Sequence, residues 1–136
     1  MNMKLCGDGP VVIVDDDPTD IAILRRCFDR SALAATHRLL TFLSGEEALE
    51  HMKRAEAAQA PMPSIILLDI NMPRMDGFET LRAIRSREAF RTIPAIVFVS
   101  NSDNPRDVTR ASSLGAGFCE KFSKWREGVA FFNALV

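Results

Sequence analysis

The chain reads PVVIVDDDPTD at residues 10–20, and this stretch indicates how the protein folds. The run from Pro10 to Val14 is apolar throughout and has the length of one strand, as expected for a strand that is covered on both faces. Directly after it, Asp17 can cap a helix and Pro18 fits the first helical position. A covered strand that leads into a helix predicts part of a parallel sheet.

Four further apolar runs are each followed by a stretch with helical spacing. The runs are Arg38 to Leu43, Ser64 to Leu68, Ala95 to Val99 and a less regular one from Gly117 to Phe122. Helix boundaries are predicted from a capping box of Ser44 with Glu47, from Asn104 before Pro105, from Gly115 at a helix end and from Ser123 at a helix start. Five strands that alternate with five helices predict an α/β fold, a doubly wound, five-stranded parallel sheet with helices on both faces.

Composition narrows the class of protein. The chain has 136 residues, the size of one domain, and its 47% apolar and 26% charged side chains are typical of soluble globular proteins. The 17 basic and 18 acidic residues give a net charge of −1, so neither nucleic acid nor a membrane surface is an expected partner. No apolar run reaches the roughly 18 residues of a membrane span. We expect one domain over residues 1–136, with its folded core at about 8–136 and no output domain.

The cysteines favour a reducing, cytoplasmic location. Cys6, Cys27 and Cys119 are widely spaced and odd in number, and no Cys-x-x-Cys pair is present that could bind zinc. Cys27 fits the apolar stripe of the first helix and Cys119 lies in the last strand, so both are predicted to be core thiols.

The chemically reactive side chains follow the ends of the predicted strands. In a doubly wound sheet, ligands bind beyond the carboxyl ends of the strands. The groups found there are Asp15, Asp16 and Asp17 after the first run, Asp69 after the third, Ser100 after the fourth and Lys121 near the end of the fifth. The second run ends in Leu43 and Ser44 without a comparable group, as an edge strand would.

Carboxylates gathered at one edge of a sheet need a counter-charge. Two carboxylates about 4 Å apart repel by roughly 4 kcal/mol at an effective dielectric constant of about 20. A divalent cation offsets this repulsion, and a set of oxygen ligands suits magnesium better than zinc. An acidic helix start would explain Asp17 alone, but it does not explain Asp69, because Asp76 already supplies the cap of the next helix. An aspartate beside magnesium can attack phosphorus, while Lys121 and Ser100 stabilise the phosphoryl oxygens.

Four segments together resemble the receiver domain of bacterial response regulators. They are VIVDDDP at 12–18, LDINMPRMDG at 68–77, Val99 with Ser100, and Phe118 three residues before Lys121. The resemblance covers essentially the whole chain, in order. It implies the flavodoxin-like strand order 2-1-3-4-5 and a stand-alone response regulator, in which Asp69 accepts a phosphoryl group from a histidine kinase or a histidine phosphotransfer protein.

The resemblance also implies a magnesium site. Asp16, Asp69 and the main-chain carbonyl of Asn71 would hold Mg²⁺, and Asp15 would assist directly or through water. Lys121 would pair with Asp69 or with the phosphoryl group. The main alternative is a magnesium-dependent phosphatase with an aspartyl nucleophile, but such an enzyme uses a second aspartate where this chain has Asn71, whose amide cannot transfer protons.

The resemblance further implies a switch. Ser100 would move toward the phosphoryl group, and the orientation of Phe118 would follow it, so that an added charge of about −1.5 to −2 biases a two-state loop and surface. The chain departs from the family pattern at three points. Phe122 stands where receivers usually have proline after the lysine, one residue rather than two separates Ala116 from Phe118, and Phe118 lacks the hydroxyl of the more frequent tyrosine.

Two features predict partners. Residues 17–20 and 93–102, together with the absent proline, resemble single-domain receivers that are paired with bacterial phytochrome kinases. In the last helix, Trp125, Val129, Phe132 and Val136 form an apolar stripe that neighbouring residues broaden, which predicts a homodimer through the C-terminal helix region. The alternative is a chain end that simply exposes some apolar residues.

Two other functions are less well supported by the sequence. A receiver-like module that binds partners without phosphorylation would lack an acid or the lysine, and none is lost here. A serine hydrolase is disfavoured because Ser100 lacks a nucleophile elbow, while His37 and His51 lie in or near the second strand and helix. We therefore expect no enzyme, beyond slow self-phosphorylation from small donors and self-dephosphorylation.

Overall fold

Strands and α-helices alternate along the chain in the computed structural model, which describes residues 4–5, 7–99 and 104–136. The strands are β1 (Val11–Val14), β2 (Leu39–Phe42), β3 (Ile65–Asp69), β4 (Ala95–Val99) and β5 (Gly117–Glu120). The helices are α1 (Pro18–Asp29), α2 (Gly45–Ala57), α3 (Gly77–Arg85), α4 (Pro105–Ser113) and α5 (Trp125–Asn133). Short 3₁₀ turns lie at Ala32–Ala35 and Glu88–Phe90. The predicted alternation is confirmed.

All neighbouring strands of the sheet run parallel, in the order β2-β1-β3-β4-β5. The expected α/β fold and the strand order implied by the resemblance are therefore confirmed, and β2 is an edge strand. In the centre of the sheet, Val14 of β1 is paired with Leu68 of β3. Because these two residues are the last apolar residues of their strands, the side chains that follow them leave the sheet at the same edge.

The core lies on both faces of the sheet. On one face, Val12 and Val14 are packed beneath α2, α3 and α4, and on the other, Val11 and Ile13 are packed beneath α1 and α5. Successive strand residues point to opposite faces, so a strand covered on both sides must be apolar at every position. This explains why the run at 10–14 does not alternate between apolar and polar residues.

Most of the predicted helix ends are observed. Asp17 caps α1 by accepting a hydrogen bond from the Thr19 N–H at 2.9 Å, and Asn104 caps α4 in the same way. Gly115 follows the last turn of α4 with a φ of +67°, a left-handed conformation in which glycine avoids the steric cost of a side chain. These caps fix where each helix leaves the sheet edge.

Two details of the predicted helix starts are wrong. The Ser44 hydroxyl accepts from the Glu47 N–H at 3.1 Å, but the Glu47 carboxylate accepts from the Leu43 N–H, so only half of the capping box forms. The last helix begins one residue later than expected, with Lys124 rather than Ser123 at its N-cap, while Ser123 instead donates its N–H to a side chain of the first turn. In both cases a glutamate in the first turn accepts from the backbone N–H of the residue before the N-cap.

The C-terminal helix is better covered than its sequence predicts. Phe132 and the following Leu135 are buried, whereas Trp125 is 51% exposed. The rings of Phe131 and Phe132 lie 5.3 Å apart, and both helix and rings are packed against α1. Part of the apolar circumference that favours a dimer is thus covered within the chain, and homodimerisation stays a prediction.

The cysteines fit the core only in part. Cys27 is buried, as predicted, but Cys119 is half-buried, and Cys6 lies outside the described residues. Both described thiols are free. Within the described ranges, no helix is long and apolar enough to cross a membrane.

Arg85 at the end of α3 is hydrogen-bonded to two other segments of backbone. Its guanidinium donates to the carbonyl oxygens of Leu114 at 2.8 Å, Phe90 at 3.0 Å and Gly115 at 3.4 Å. We expect Arg85→Met to lower the free energy of unfolding by about 2–3 kcal/mol, because these carbonyls lose charged donors. Urea unfolding measures this change. The matched control is Arg82→Met, an exposed arginine on the same helix, and equal losses in the two variants would contradict the assignment.

Candidate functional site

Three aspartates meet at the carboxyl edge of the central strands. Asp15 follows β1 and Asp69 ends β3, and both are buried, with 2% and 4% of their surfaces exposed. Asp16 is exposed beside them. One carboxylate oxygen of each of the three lies within 4.8 Å of the others. The structure therefore brings these predicted residues together, while Asp17 is turned away as the cap of α1.

Lys121 reaches this cluster from the loop after β5. Its Nζ lies 3.3 Å from Asp69 Oδ1 and 3.6 Å from Asp15 Oδ2. A third carboxylate, that of Asp20, is nearer still, with Oδ2 at 2.8 Å. Sequence reasoning missed Asp20 as a functional residue. The signal was an acid in the first turn of the helix that starts at the site.

Burial and charge shift the ionisation of these groups. Burial raises the pKa of Asp15 to about 6, although the Asp17 N–H donates to its Oδ1 and counteracts the shift. Burial also raises the pKa of Asp69, against the opposing charge of Lys121. Burial alone would lower the pKa of Lys121, but the hydrogen bond to Asp20 and the nearby carboxylates raise it above its usual range. Lys121 is therefore charged at neutral pH. The buried carboxyl groups of Asp15 and Asp69 lie close to each other.

The stability of the metal-free protein should depend on pH through Asp15. Its pKa of about 6 in the folded protein exceeds the value of 3.8 for a free side chain, so between these values the folded state holds a proton that the unfolded chain has released. The free energy of unfolding should therefore fall by about 2–3 kcal/mol as the pH rises from about 4 to about 6. Urea unfolding in EDTA measures this fall, and Asp15→Asn should reduce it. An unchanged slope in Asp15→Asn would contradict this cause.

Of the other predicted site residues, the structure describes Asn71 and Phe118. Asn71 is exposed, and its main-chain N–H lies 3.5 Å from Asp69 Oδ1, so it borders the cluster. Ser100 lies outside the described residues. Phe118 is half-buried in β5, paired with Val97 of β4, and packs against the core on the face of α2, α3 and α4. The roles of Asn71, Ser100 and Phe118 in a switch or a metal site stay predictions.

Phe122, which replaces the usual proline, is packed beneath the loop that carries Lys121. Its ring lies 5.5 Å from that of Phe98 and 5.3 Å from that of Phe131. Phe98 and Phe122 also line the cleft that opens at the acids. The described part of the chain contains no cis peptide bond. An apolar anchor therefore holds this loop.

The donor set fits a hard divalent cation. Three carboxylates supply oxygen ligands within one small space, and two of them are buried with raised pKa values. Oxygen ligands of this kind are preferred by Mg²⁺ and Mn²⁺. A cation there would offset the repulsion that burial imposes on the acids.

Comparison of the sequence with known families gives one clear match. The profile described as the response regulator receiver domain matches residues 11–127. The two-component response regulator ORR1 of Oryza sativa is 30% identical over 106 residues, which are 78% of this chain and 46% of that protein. The chain thus spans about half the length of this curated relative.

Two solved structures of response regulators have a similar shape. The phosphorylated cyanobacterial phytochrome response regulator RcpA has a TM-score of 0.77 and 26% identity, with 94% of this chain and 90% of that chain covered. The Mn²⁺-bound form of Rcp1, a response regulator of Synechocystis, has a TM-score of 0.75 with 93% and 90% covered. At 24% identity, the second likeness shows the fold alone.

Proposed function

This chain belongs to the response regulator receiver domain family, and on that premise we propose that Asp69 is the residue that accepts the phosphoryl group. The observation that carries the proposal is the position of Asp69. Its carboxylate is buried at the end of the central strand β3, within the cluster of acids and 3.3 Å from the Lys121 ammonium. Of the two buried acids in the cluster, Asp69 lies nearer to the ammonium, at 3.3 Å against 3.6 Å for Asp15.

The proposed reaction is a displacement at phosphorus. An Asp69 carboxylate oxygen attacks the phosphorus of a phosphohistidine on the donor, an O–P bond forms, and the N–P bond breaks. The histidine nitrogen leaves with the electron pair and takes up a proton. The ammonium of Lys121 donates to a phosphoryl oxygen and neutralises part of its charge.

We propose that the cation is Mg²⁺, held by the carboxylates of Asp15, Asp16 and Asp69 and by the main-chain carbonyl of Asn71. The first three are supported by the closeness of their oxygens, and Asn71 is supported by its place beside Asp69. The cation would neutralise negative charge on the acids and on the transferring group. Loss of one carboxylate should therefore weaken metal binding.

We propose that Ser100 and Phe118 report the phosphorylated state. Ser100 follows β4 in the sequence, and β4 is the strand next to β3. Phe118 lies in β5, the following strand, paired with Val97. A hydroxyl drawn to the phosphoryl group would free space for the ring to turn inward.

We propose a histidine kinase as the phosphoryl donor, either directly or through a phosphotransfer protein. A phytochrome kinase is the finer proposal, supported by the likeness to the phytochrome response regulator RcpA. A homodimer through the C-terminal helix is supported by the exposed Trp125 and Val136. A cytoplasmic location and a single-domain organisation stay predictions. Acting as a phosphoacceptor, the protein would signal through protein contacts.

The proposal is tested by phosphorylating the purified chain. Incubation with acetyl phosphate and Mg²⁺ should yield an acid-stable, base-labile adduct of one phosphoryl group, which mass spectrometry after borohydride reduction places on Asp69. Removal of Mg²⁺ with EDTA should slow its formation at least about tenfold. No adduct in the presence of magnesium, or an adduct on another residue, would overturn the proposal.

A further inference from the structure

The ammonium of Lys121 is shared unequally among three carboxylates. Asp20 Oδ2 lies 2.8 Å from Nζ, whereas Asp69 Oδ1 lies at 3.3 Å and Asp15 Oδ2 at 3.6 Å. Charge-assisted hydrogen bonds between an ammonium and a carboxylate measure about 2.7–2.9 Å. Only the contact with Asp20 falls in this range, so Asp20 is the principal partner of the lysine.

Asp20 differs from the other two carboxylates in its position and exposure. Asp20 lies in the first turn of α1 and is about one-third exposed, whereas Asp15 and Asp69 are buried at the sheet edge. The cap of α1 is supplied by Asp17, so the Asp20 carboxylate is not used to start the helix. The first turn of α1 therefore supplies the carboxylate that lies nearest to the Lys121 ammonium.

The contacts of the Asp69 carboxylate, the proposed nucleophile, are long. Within the described residues, the Asp69 carboxylate is contacted by Lys121 at 3.3 Å and by the Asn71 N–H at 3.5 Å. Both contacts are made to Oδ1, and both are longer than an ordinary hydrogen bond to a carboxylate. A tight ion pair with Lys121 would instead stabilise the carboxylate and reduce its reactivity.

From these contacts we infer that Asp20 is a positioning residue of the phosphorylation site, which holds the Lys121 ammonium beside the Asp69 nucleophile rather than on it. The inference rests on the proposed function of Asp69. The lysine is then placed to meet a phosphoryl oxygen, while the Asp69 carboxylate stays available to attack phosphorus. Without Asp20, the ammonium has Asp69 and Asp15 as its remaining partners and moves closer to them.

The test compares rates of phosphorylation by acetyl phosphate at saturating Mg²⁺. We expect Asp20→Asn to slow adduct formation about three- to tenfold, the size expected for a partly exposed charged contact. Asp20→Glu should recover at least half of the wild-type rate, because a longer side chain on the same helix can still reach the ammonium. The control is Asp29→Asn, which removes the same charge from the exposed end of α1 and should leave the rate unchanged.

A double-variant cycle separates positioning from general effects on charge or folding. If Asp20 acts through Lys121, then Asp20→Asn should change the rate less than twofold in a Lys121→Met background. A wild-type rate in Asp20→Asn, a faster rate, or an equal loss in both backgrounds would overturn the inference. Urea unfolding checks that each variant is folded, and Asp20→Glu keeps the test decisive if the asparagine variant is not.

Failure of this inference is distinct from failure of the proposed function. If wild-type protein forms no adduct on Asp69, the proposed function is wrong and the inference falls with it. If wild type is phosphorylated but the Asp20 and Lys121 variants are additive, the phosphoacceptor stands and only the role of Asp20 is overturned.

Discussion

Asp69→Asn should abolish the acid-stable, base-labile phosphoryl adduct, with a rate of formation at least about a thousandfold below that of wild type. An amide oxygen is a much weaker nucleophile than a carboxylate, and no described carboxylate at the site shares the position of Asp69 at the end of β3. The variant should remain folded. Asparagine keeps the shape of the side chain and removes one of the crowded negative charges.

The measurement is the time course of adduct formation from acetyl phosphate and Mg²⁺, followed by mass spectrometry. Asp29→Asn, which removes an exposed acid from α1, should be phosphorylated at the wild-type rate and serves as the charge control. Persistence of the same adduct in Asp69→Asn would show that a different residue accepts the phosphoryl group. Urea unfolding of both variants confirms that a lost adduct is not caused by lost structure.

Gly77→Ala is expected to have a large effect on stability, a loss of about 3 kcal/mol or more in the free energy of unfolding. Gly77 is the first residue of α3 and is buried against the end of β3. A Cβ there would lie 2.8 Å from the Ile70 Cα and closer still to the Asp69 carbonyl oxygen. Because both neighbours are backbone atoms, the helix or the strand end must move.

The same variant should also reduce phosphorylation, since the backbone that Gly77 contacts carries Asp69. Gly115→Ala is the matched control. Gly115 has a positive φ but no atom within 4 Å of a built Cβ, so only backbone strain of about 1 kcal/mol is expected. Equal destabilisation of the two variants in urea would show that backbone conformation, rather than close approach to β3, determines the role of Gly77.

The fold was predictable because apolar runs typical of strands and residues typical of helix starts follow one another in regular order along the sequence. The continuous apolar run at 10–14 requires cover on both faces, and Asp17 with Pro18 marks the start of a helix. The second run ends without a charged or reactive side chain like those after the other runs, and this correctly predicts an edge strand. The strand order 2-1-3-4-5 came from family resemblance, because strand and helix alternation alone permits other orders.

The candidate site was predictable where side chains directly follow strand ends. Asp15 and Asp69 come together because Val14 and Leu68 are paired in register. Asp20 was not found, since its contact with Lys121 spans 101 residues and depends on the rotation of α1. The packing that covers part of α5 was also missed, because the mutual contacts of the Phe98, Phe122 and Phe131 rings cannot be inferred from helical spacing.

Phe122 has a consequence for how this chain can vary over evolution. The residue after Lys121 is an aromatic side chain that packs with Phe98 and Phe131, which also contact each other, so the position of the loop depends on the volumes of three rings from different elements. A smaller side chain at any of these positions would let the loop move and would shift the Lys121 ammonium relative to Asp69. Among homologues, residues at these positions should covary in volume, although none of the three chemically contacts the phosphoryl group.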